Sequence, residues 1–522
     1  VLAVGGTLIC HFDHHRCANW HTRVMHILKT SRPSLSQRLS GRWKLTFAAV
    51  GAGVLLASCA SGTIPDSRDT STDVAFNSCD SIACQGTLEG ADYDILLPDT
   101  WNGTLLLYSH GYRGAEPFPP NFDPVVTTPV PVPGWDSGDK SLGDALLQSG
   151  YAMAGSAYAS NGWAVEDGVA AAEQIYDFFS ANVGTPKRVI IWGDSLGGLI
   201  TTTLAEKGLD WVDGALPLCG VMAGLVPNIG LALDAAYGVQ QLVYPEMQIV
   251  DFTSYEQAVA NWEGAASRLI QGARDLDLET VAKLLTIAAM TDAPEKTFSQ
   301  DGADITSQVT GTVESLLTAL AYGTVGRFDI EQRYGGNVSG NEGTDYALRL
   351  TDEERDVIDA VGGAGAADRF VAQLDNGPRI AANPAAQAAA LERGGNPNGA
   401  ITAPMITMHT AFDPLVIVEN QSFYRIRYDA AVSEGRAQGD LIQLFTTPPA
   451  AYSAEEGAPY GAGHCNFTMD SRIALIGLME NWIQTGLFPG SAAIAAAMGT
   501  DSGYAPLFAP GPWPDANAVI TE

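Results

Sequence analysis

Short runs of consecutive apolar residues alternate with helical stretches in two separated parts of this chain, and that pattern narrows the possible folds most. Thr104–Ser109 (TLLLYS) and Arg188–Trp192 (RVIIW) lack polar/apolar alternation. A strand reads this way when both of its faces are buried, as in a parallel sheet covered by helices on each side. Around these runs the pattern predicts two short strands in 86–98 with a turn at Glu89–Gly90. A helix over 137–149 follows, then a strand at 151–157, helices over 166–180 and 196–207, and a strand at 212–218. The alternation stops near Gly220. Up to about Ala400 the sequence is Ala-rich and mostly helical, with no clear strand. It resumes with a strand at 404–409, a helix over 418–428, a strand at 441–445 and a helix over 467–485. The expectation is an α/β fold: a mostly parallel sheet flanked by helices, interrupted by a large, mainly helical insertion. The core then occupies 79–219 and 402–490, the insertion 220–401 and a C-terminal tail 491–522.

The N-terminal part reads as an address. Arg38, Arg42 and Lys44 precede an apolar run from Leu45 to Ala57, too short for a membrane span of about 20 residues. A positive flank before a short apolar core is the signal-peptide pattern, and it ends in Leu56-Ala57-Ser58-Cys59. That ending resembles a bacterial lipobox, which implies lipidation at Cys59, an exported protein at the cell surface or outer membrane, and membrane contact through the lipid alone. A core helix beginning at Leu45 is the competing reading. Residues 1–59 are thus taken as upstream and signal sequence, with Met25 a candidate start, and 60–78 as a Ser/Thr/Asp-rich linker. The cluster His11, His14, His15 and Cys17 falls in this removed segment, so it is not read as a metal site.

Charge excludes one large class of partner. The chain has 28 Lys/Arg against 59 Asp/Glu, a formal charge of −31. Seven of the basic residues and a single acid lie before Cys59, so the body is more acidic still. Nucleic acid needs a basic face, and none is offered. Histidine is scarce too. Beyond Cys59 only His110, His409 and His464 remain, too few for a multi-histidine metal enzyme. No cofactor and no metal is expected.

Gly193-Asp194-Ser195-Leu196-Gly197 matches G-x-S-x-G between a buried strand and a helix. In that context the serine sits exposed on a sharp turn above the sheet, and the helix N-terminus behind it favours developing negative charge. A serine hydroxyl needs a base. His464, in the loop Gly461-Ala462-Gly463-His464 after the last strand, is the best candidate. His110 ends the strand before the nucleophile and is assigned a structural role; His409 reads as a packed or supporting histidine. Asp413, between the next-to-last strand and a helix and followed by Pro414, is the candidate acid that fixes the imidazole. The order Ser195, Asp413, His464 is that of the α/β-hydrolases.

Taken together, His110-Gly111, the G-D-S-L-G-G elbow at 193–198, F-D-P at 412–414 and G-x-G-H at 461–464 resemble an exported bacterial α/β-hydrolase of the esterase and peptidase kind. The resemblance covers about 85–220 and 402–486. It implies an oxyanion hole from the backbone N–H groups of Tyr112 and Leu196, and an insertion that serves as a lid. The cysteine after His464 is similar to that of tannases and feruloyl esterases, but those carry a second cysteine just before the serine, where this chain has Asp194. Tyr112 and Trp163 are candidate substrate-binding residues; Trp135 and Trp262 could add aromatic surface or simply pack. Four cysteines follow Cys59 and allow three connectivities. Cys79–Cys84 is a local staple, and Cys219–Cys465 would join the sheet's carboxyl edge to the histidine loop; two free buried thiols are the alternative.

The leading expectation is a serine ester hydrolase acting on a small-molecule or polymeric ester through an acyl-enzyme. An aminopeptidase on the same scaffold is the second reading and needs a carboxylate to hold the substrate amine. A non-catalytic surface lipoprotein is the third.

Overall fold

A computed structural model describes residues 83–114, 126–275, 277–452 and 458–515. The expected signal segment, Cys59, the linker and Cys79 lie outside the described residues, as does part of the Pro/Gly-rich loop 114–134.

Eight strands form one sheet in the order β1-β2-β4-β3-β5-β6-β7-β8. β1 (Ala83–Leu88) and β2 (Ala91–Leu96) form a hairpin, and β2 also runs antiparallel to β4 (Ala152–Ser156). The hairpin turn falls at Glu89–Gly90 as expected, with both residues at positive φ (46° and 89°), the conformation that suits a two-residue hairpin loop. The remaining pairings are all parallel: β3 (Thr104–Ser109) with β4 and with β5 (Arg188–Asp194), then β6 (Gly214–Leu218), β7 (Met405–Thr410) and β8 (Leu441–Thr446).

The continuous apolar runs are explained by what they touch. Leu105 and Leu107 enter the hydrophobic cluster on one face of the sheet, together with Ile191, Ile175 and Leu199. Leu106 and Tyr108 enter the cluster on the other face, with Ile190, Trp192, Leu475 and Met479. Successive residues point to opposite faces, so burying both demands apolar residues at every position. The covering helices are α1 (Ser141–Gln148), α2 (Val165–Phe178, continuing as a π-helical turn over Phe179–Val183) and α3 (Leu196–Glu206), followed after the insertion by three more.

The insertion leaves the sheet after β6 and contains α4 (Leu225–Leu242), α5 (Tyr255–Asp275), α6 (Leu278–Ala289) and α7 (Ile305–Ala321). A π-helical turn (Tyr322–Gly326) then leads into α8 (Arg327–Tyr334), and α9 (Asp352–Gly362), α10 (Ala366–Asn376) and α11 (Pro384–Arg393) follow. It buries a core of its own, including Tyr237, Trp262, Leu269, Ile287, Leu316 and Phe370. Ile229, Ala232 and Tyr334 instead pack into the cluster beside the sheet, and this seam fixes the insertion over the sheet's carboxyl edge.

After the insertion come α12 (Asn420–Ser433), α13 (Met469–Thr485) and α14 (Ser491–Met498). The last corrects the expectation of a simple tail beyond 490. Ile494 and Met498 are buried against the sheet-side core, Tyr504 bridges Thr446, and Trp513 is buried against Phe423 at 5.4 Å. Small apolar spacing in SAAIAAAM carries too weak a signal to be separated from a linker by sequence alone.

Candidate active site

Ser195 occupies the turn between β5 and α3 with φ 59° and ψ −121°, a conformation rare for a residue with a side chain. Its neighbours hold it there. Ser195 N–H donates to Leu218 O on β6 (3.0 Å), and its carbonyl accepts from Gly198 N–H (2.9 Å). The motif's glycines are needed for space. A Cβ on Gly193 would lie 2.5 Å from Gly197 O, and one on Gly197 would lie 1.9 Å from Ser109 O. The elbow is therefore wedged against the end of β3, and the segment after β3 is drawn to Ser195: a Cβ on Gly111 would come within 3.3 Å of Ser195 Cβ.

His464 and Asp413, fifty-one residues apart, meet directly. His464 Nδ1 donates to Asp413 Oδ2 at 2.7 Å. The other carboxylate oxygen, Oδ1, accepts the backbone N–H groups of Leu415 and Val416 at 2.9 Å each. Burial by itself would raise this carboxyl, but the facing His464 and His409 rings and their hydrogen bonds hold it well below the usual carboxylate range. A fixed, ionised acceptor at Nδ1 leaves the lone pair on Nε2. That atom is buried and has no hydrogen-bond partner among the described residues.

His409 supports this arrangement from behind. Fully buried, it places Nε2 3.5 Å from Asp413 Oδ2 and donates to Val416 O at 2.8 Å. Its Nδ1 accepts from Gln421 Nε2 (3.2 Å), which sets the tautomer. His110 is engaged elsewhere: its ring stacks on Tyr158 at 3.8 Å and Nδ1 donates to Gly111 O at 2.7 Å.

Cys219 and Cys465 are disulfide-bonded, with Cα atoms 5.4 Å apart, and the bridge spans 246 residues of sequence. It ties the end of β6 to the residue after His464. The cluster of Cys219, Cys465 and His464 within 4.8 Å offers no thiolate to a metal, because both sulfurs are in the bridge. Cys84 is disulfide-bonded as well. A second tie was not foreseen. Asp194, where the tannase resemblance would place a cysteine, accepts Arg472 Nη1 at 2.8 Å, and Arg472 Nη2 reaches Cys465 O at 3.3 Å. An ion pair thus links the elbow to the histidine loop. The only sequence hint is a lone arginine in the first turn of an otherwise apolar-faced helix.

Tyr112, Trp163, Ser195 and Leu196 line one cavity of about 80 Å³, bordered on a further side by Pro414, Leu415 and Val416 next to Asp413. Leu196 opens α3, so its N–H has no intrahelical acceptor and is free to face an anion. Trp135 and Trp262 do not line this cavity. Trp135 Nε1 donates to Asp94 (3.1 Å) and its ring lies under Lys140 Nζ, while Trp262 Nε1 donates to Leu317 O (3.1 Å) inside the insertion. Residues of the insertion that the sequence did not single out complete the wall, Tyr322 among them. Asp329 on α8, also unforeseen, accepts Trp163 N–H at 2.7 Å and the Tyr112 hydroxyl at 3.4 Å.

An antiparallel second strand, a strand order in which β4 lies between β2 and β3, and a strained serine between β5 and α3 decide the fold. It is that of the α/β-hydrolases. No family model matches the chain. Over 158 residues it is 26% identical to an o-phthalyl amidase from Xanthobacter agilis; the match covers 30% of this chain and 30% of the length of that curated relative. Among solved structures it is similar to an esterase from Aspergillus oryzae (14% identity, 78% of this chain and 80% of that one, TM-score 0.37). It is also similar to feruloyl esterase B from Aspergillus oryzae (14%, 85% and 94%, TM-score 0.37).

Proposed function

We propose that the chain is a serine hydrolase that cleaves carboxylic esters through an acyl-enzyme. The observation that carries this reading is the pairing of His464 Nδ1 with a fixed Asp413 carboxylate, which leaves a buried, unpartnered Nε2 on the loop bridged to the sheet edge beside Ser195. In the first half-reaction Ser195 Oγ attacks the ester carbonyl while His464 Nε2 takes the hydroxyl proton. The carbonyl oxygen becomes an oxyanion held by the N–H groups of Leu196 and Tyr112. Collapse expels the alcohol, which takes the proton back from His464. Water then adds to the acyl-enzyme by the same route and releases the acid. Asp413 keeps its negative charge throughout and stabilises the imidazolium.

The aminopeptidase reading has less support, because none of the residues lining the cavity carries a carboxylate to hold a substrate amine. Export and lipidation at Cys59 remain part of the proposal on the sequence pattern alone. The test is a fluorophosphonate probe followed by intact mass and peptide mapping, with hydrolysis of p-nitrophenyl butyrate in parallel. Modification of Ser195 and loss of both signals in Ser195→Ala are expected. Undiminished turnover in Ser195→Ala, or labelling at another residue, refutes the reading.

A further inference from the structure

The cavity above Ser195 differs sharply from the rest of this acidic molecule. None of its eighteen lining residues carries a formal charge, and ten of them, from Val221 to Tyr322, come from the insertion. Its polar groups are hydroxyls and one amide: Tyr112, Asn228, Thr291, Ser315, Tyr322 and Ser195 itself. Trp163 presents its ring to the site, since its Nε1 donates to Gly394 O at 2.7 Å. The Tyr112 and Tyr322 rings meet edge to face at 5.6 Å. Tyr322 reaches this place through the π-helical turn it begins, a widening of the helix between α7 and α8 that re-aims side chains. That turn is seated on α4, where a Cβ on Gly323 would lie 2.7 Å from Ala232 O.

Size adds a second limit. A water molecule requires about 10–15 Å³ of such space. A cavity of about 80 Å³ therefore admits a group of roughly ring or butyryl size and no long chain. Beyond Ala293 and Ile417, which wall both cavities, lies a second cavity whose lining holds six carboxyl groups: Asp292, Glu295, Glu353, Glu354, Asp413 and Glu419. Burial and mutual repulsion keep part of this set protonated, Asp292 and Glu419 above all, so the charge behind the wall is a partial negative one that gives an acyl carboxylate no counter-ion.

Resting on the ester-hydrolase reading, we propose that this enzyme selects esters of compact, uncharged acids, aryl or short-chain, and that the insertion wall around Tyr322 sets the size limit. A carboxylate or ammonium on the acyl group would be stripped of water among neutral side chains, which is unfavourable without a partner. The carboxylate is disfavoured twice, by desolvation and by the acidic cavity next door. An ammonium is disfavoured only by desolvation. The order of turnover is thus neutral, then cationic, then anionic.

The experiment measures kcat/KM for p-nitrophenyl 4-methylbenzoate, 4-(aminomethyl)benzoate and 4-carboxybenzoate, and for the acetate, butyrate and dodecanoate esters, with fluorophosphonate labelling of the same preparation. A preference of 100-fold or more for methyl over carboxylate, and of at least 10-fold for butyrate over dodecanoate, is expected. Tyr322→Ala should raise the dodecanoate-to-butyrate ratio 10-fold or more, and Ala319→Leu, narrowing the same wall, should shift preference towards acetate over 4-methylbenzoate; either variant that folds suffices. Absence of both labelling and turnover removes the hydrolase reading, and this proposal with it. Labelling at Ser195 with equal use of charged and neutral esters, with dodecanoate turned over as well as butyrate, with no turnover of the neutral esters, or with ratios unmoved by the folded variants, overturns the acyl proposal alone.

Discussion

Removing the Cys219–Cys465 bridge with the double substitution Cys219→Ala/Cys465→Ala separates its contribution to stability from its contribution to the site. Both residues sit at positive φ (43° and 54°), and alanine keeps the Cβ, so backbone strain is the same with and without the bridge. The bridge closes a loop of 246 residues. Chain-entropy arithmetic for such a loop gives about 5.5 kcal/mol, a ceiling set by the unfolded state. Whole domains are stable by only about 5–15 kcal/mol, so the denaturant midpoint should fall clearly. The effect on catalysis should be smaller than loss of the histidine itself, because other contacts keep the loop's backbone in place. Thr410 Oγ1 donates to Gly463 O at 2.7 Å, Asn466 Nδ2 to Ala462 O at 3.1 Å, and Arg472 Nη2 to Cys465 O at 3.3 Å. A displacement of His464 by about 1 Å would lower kcat on the order of 10²-fold. The assay pairs urea unfolding with p-nitrophenyl butyrate kinetics well below the midpoint. An unfolding free energy within 1 kcal/mol of the parent, together with kcat within a factor of two, would show that the bridge holds neither the fold nor the histidine.

Asp413→Asn should leave a folded protein with kcat lower by about 10⁴, since an amide neither fixes the His464 tautomer nor stabilises its cation; near-parental kcat contradicts this. The depressed Asp413 carboxyl contributes stability that is present above about pH 4, the unfolded value, and is lost as pH falls further. The acid limb of a melting-temperature profile should therefore flatten in Asp413→Asn. Glu419 has the opposite sign. Burial first, then the facing Asp292 carboxylate, pushes it up to about 8, while burial and Glu354 push Asp292 up to about 7 against the pull of Arg349. The folded form keeps protons that the unfolded chain has released, so stability is full below about pH 4 and declines as pH rises through 8. A shift of this size sets a ceiling of roughly 5 kcal/mol, reduced by solvent screening to a few; Glu419→Gln should raise Tm at pH 8 and leave it unchanged at pH 4, and an equal shift at both pH values argues against the sign. Asp329→Asn should lower kcat about 10- to 100-fold with little change in KM, because it loosens Trp163 N–H and Tyr112 around the proposed oxyanion hole; a change confined to Tm assigns it a structural role only.

What the sequence by itself determined are the features written in contiguous residues. Runs such as TLLLYS name a strand buried on both faces because each residue must satisfy one face or the other. The elbow glycines name a turn because their hydrogens face backbone at Gly197 O and Ser109 O. The chain order of Ser195, Asp413 and His464 places all three at strand ends, and strand ends share one edge in a parallel sheet. The rest depended on partners hundreds of residues apart. Arg472 and Asp194 are 278 residues distant, and Asp329 and Tyr112 are 217. Each helix of the insertion announces an apolar face, but which face meets which, and so which side chains border Ser195, follows from how those faces fit together in three dimensions. Tyr322 reaches the pocket through a π-helical turn that α4 holds in place, and the carboxylates of Asp292 and Glu419 become strong acids or weak ones only through the burial and neighbours that packing gives them. Local patterns specify elements because backbone geometry is local; charge environments and cavity walls are set by non-local packing, which one strand or helix cannot encode.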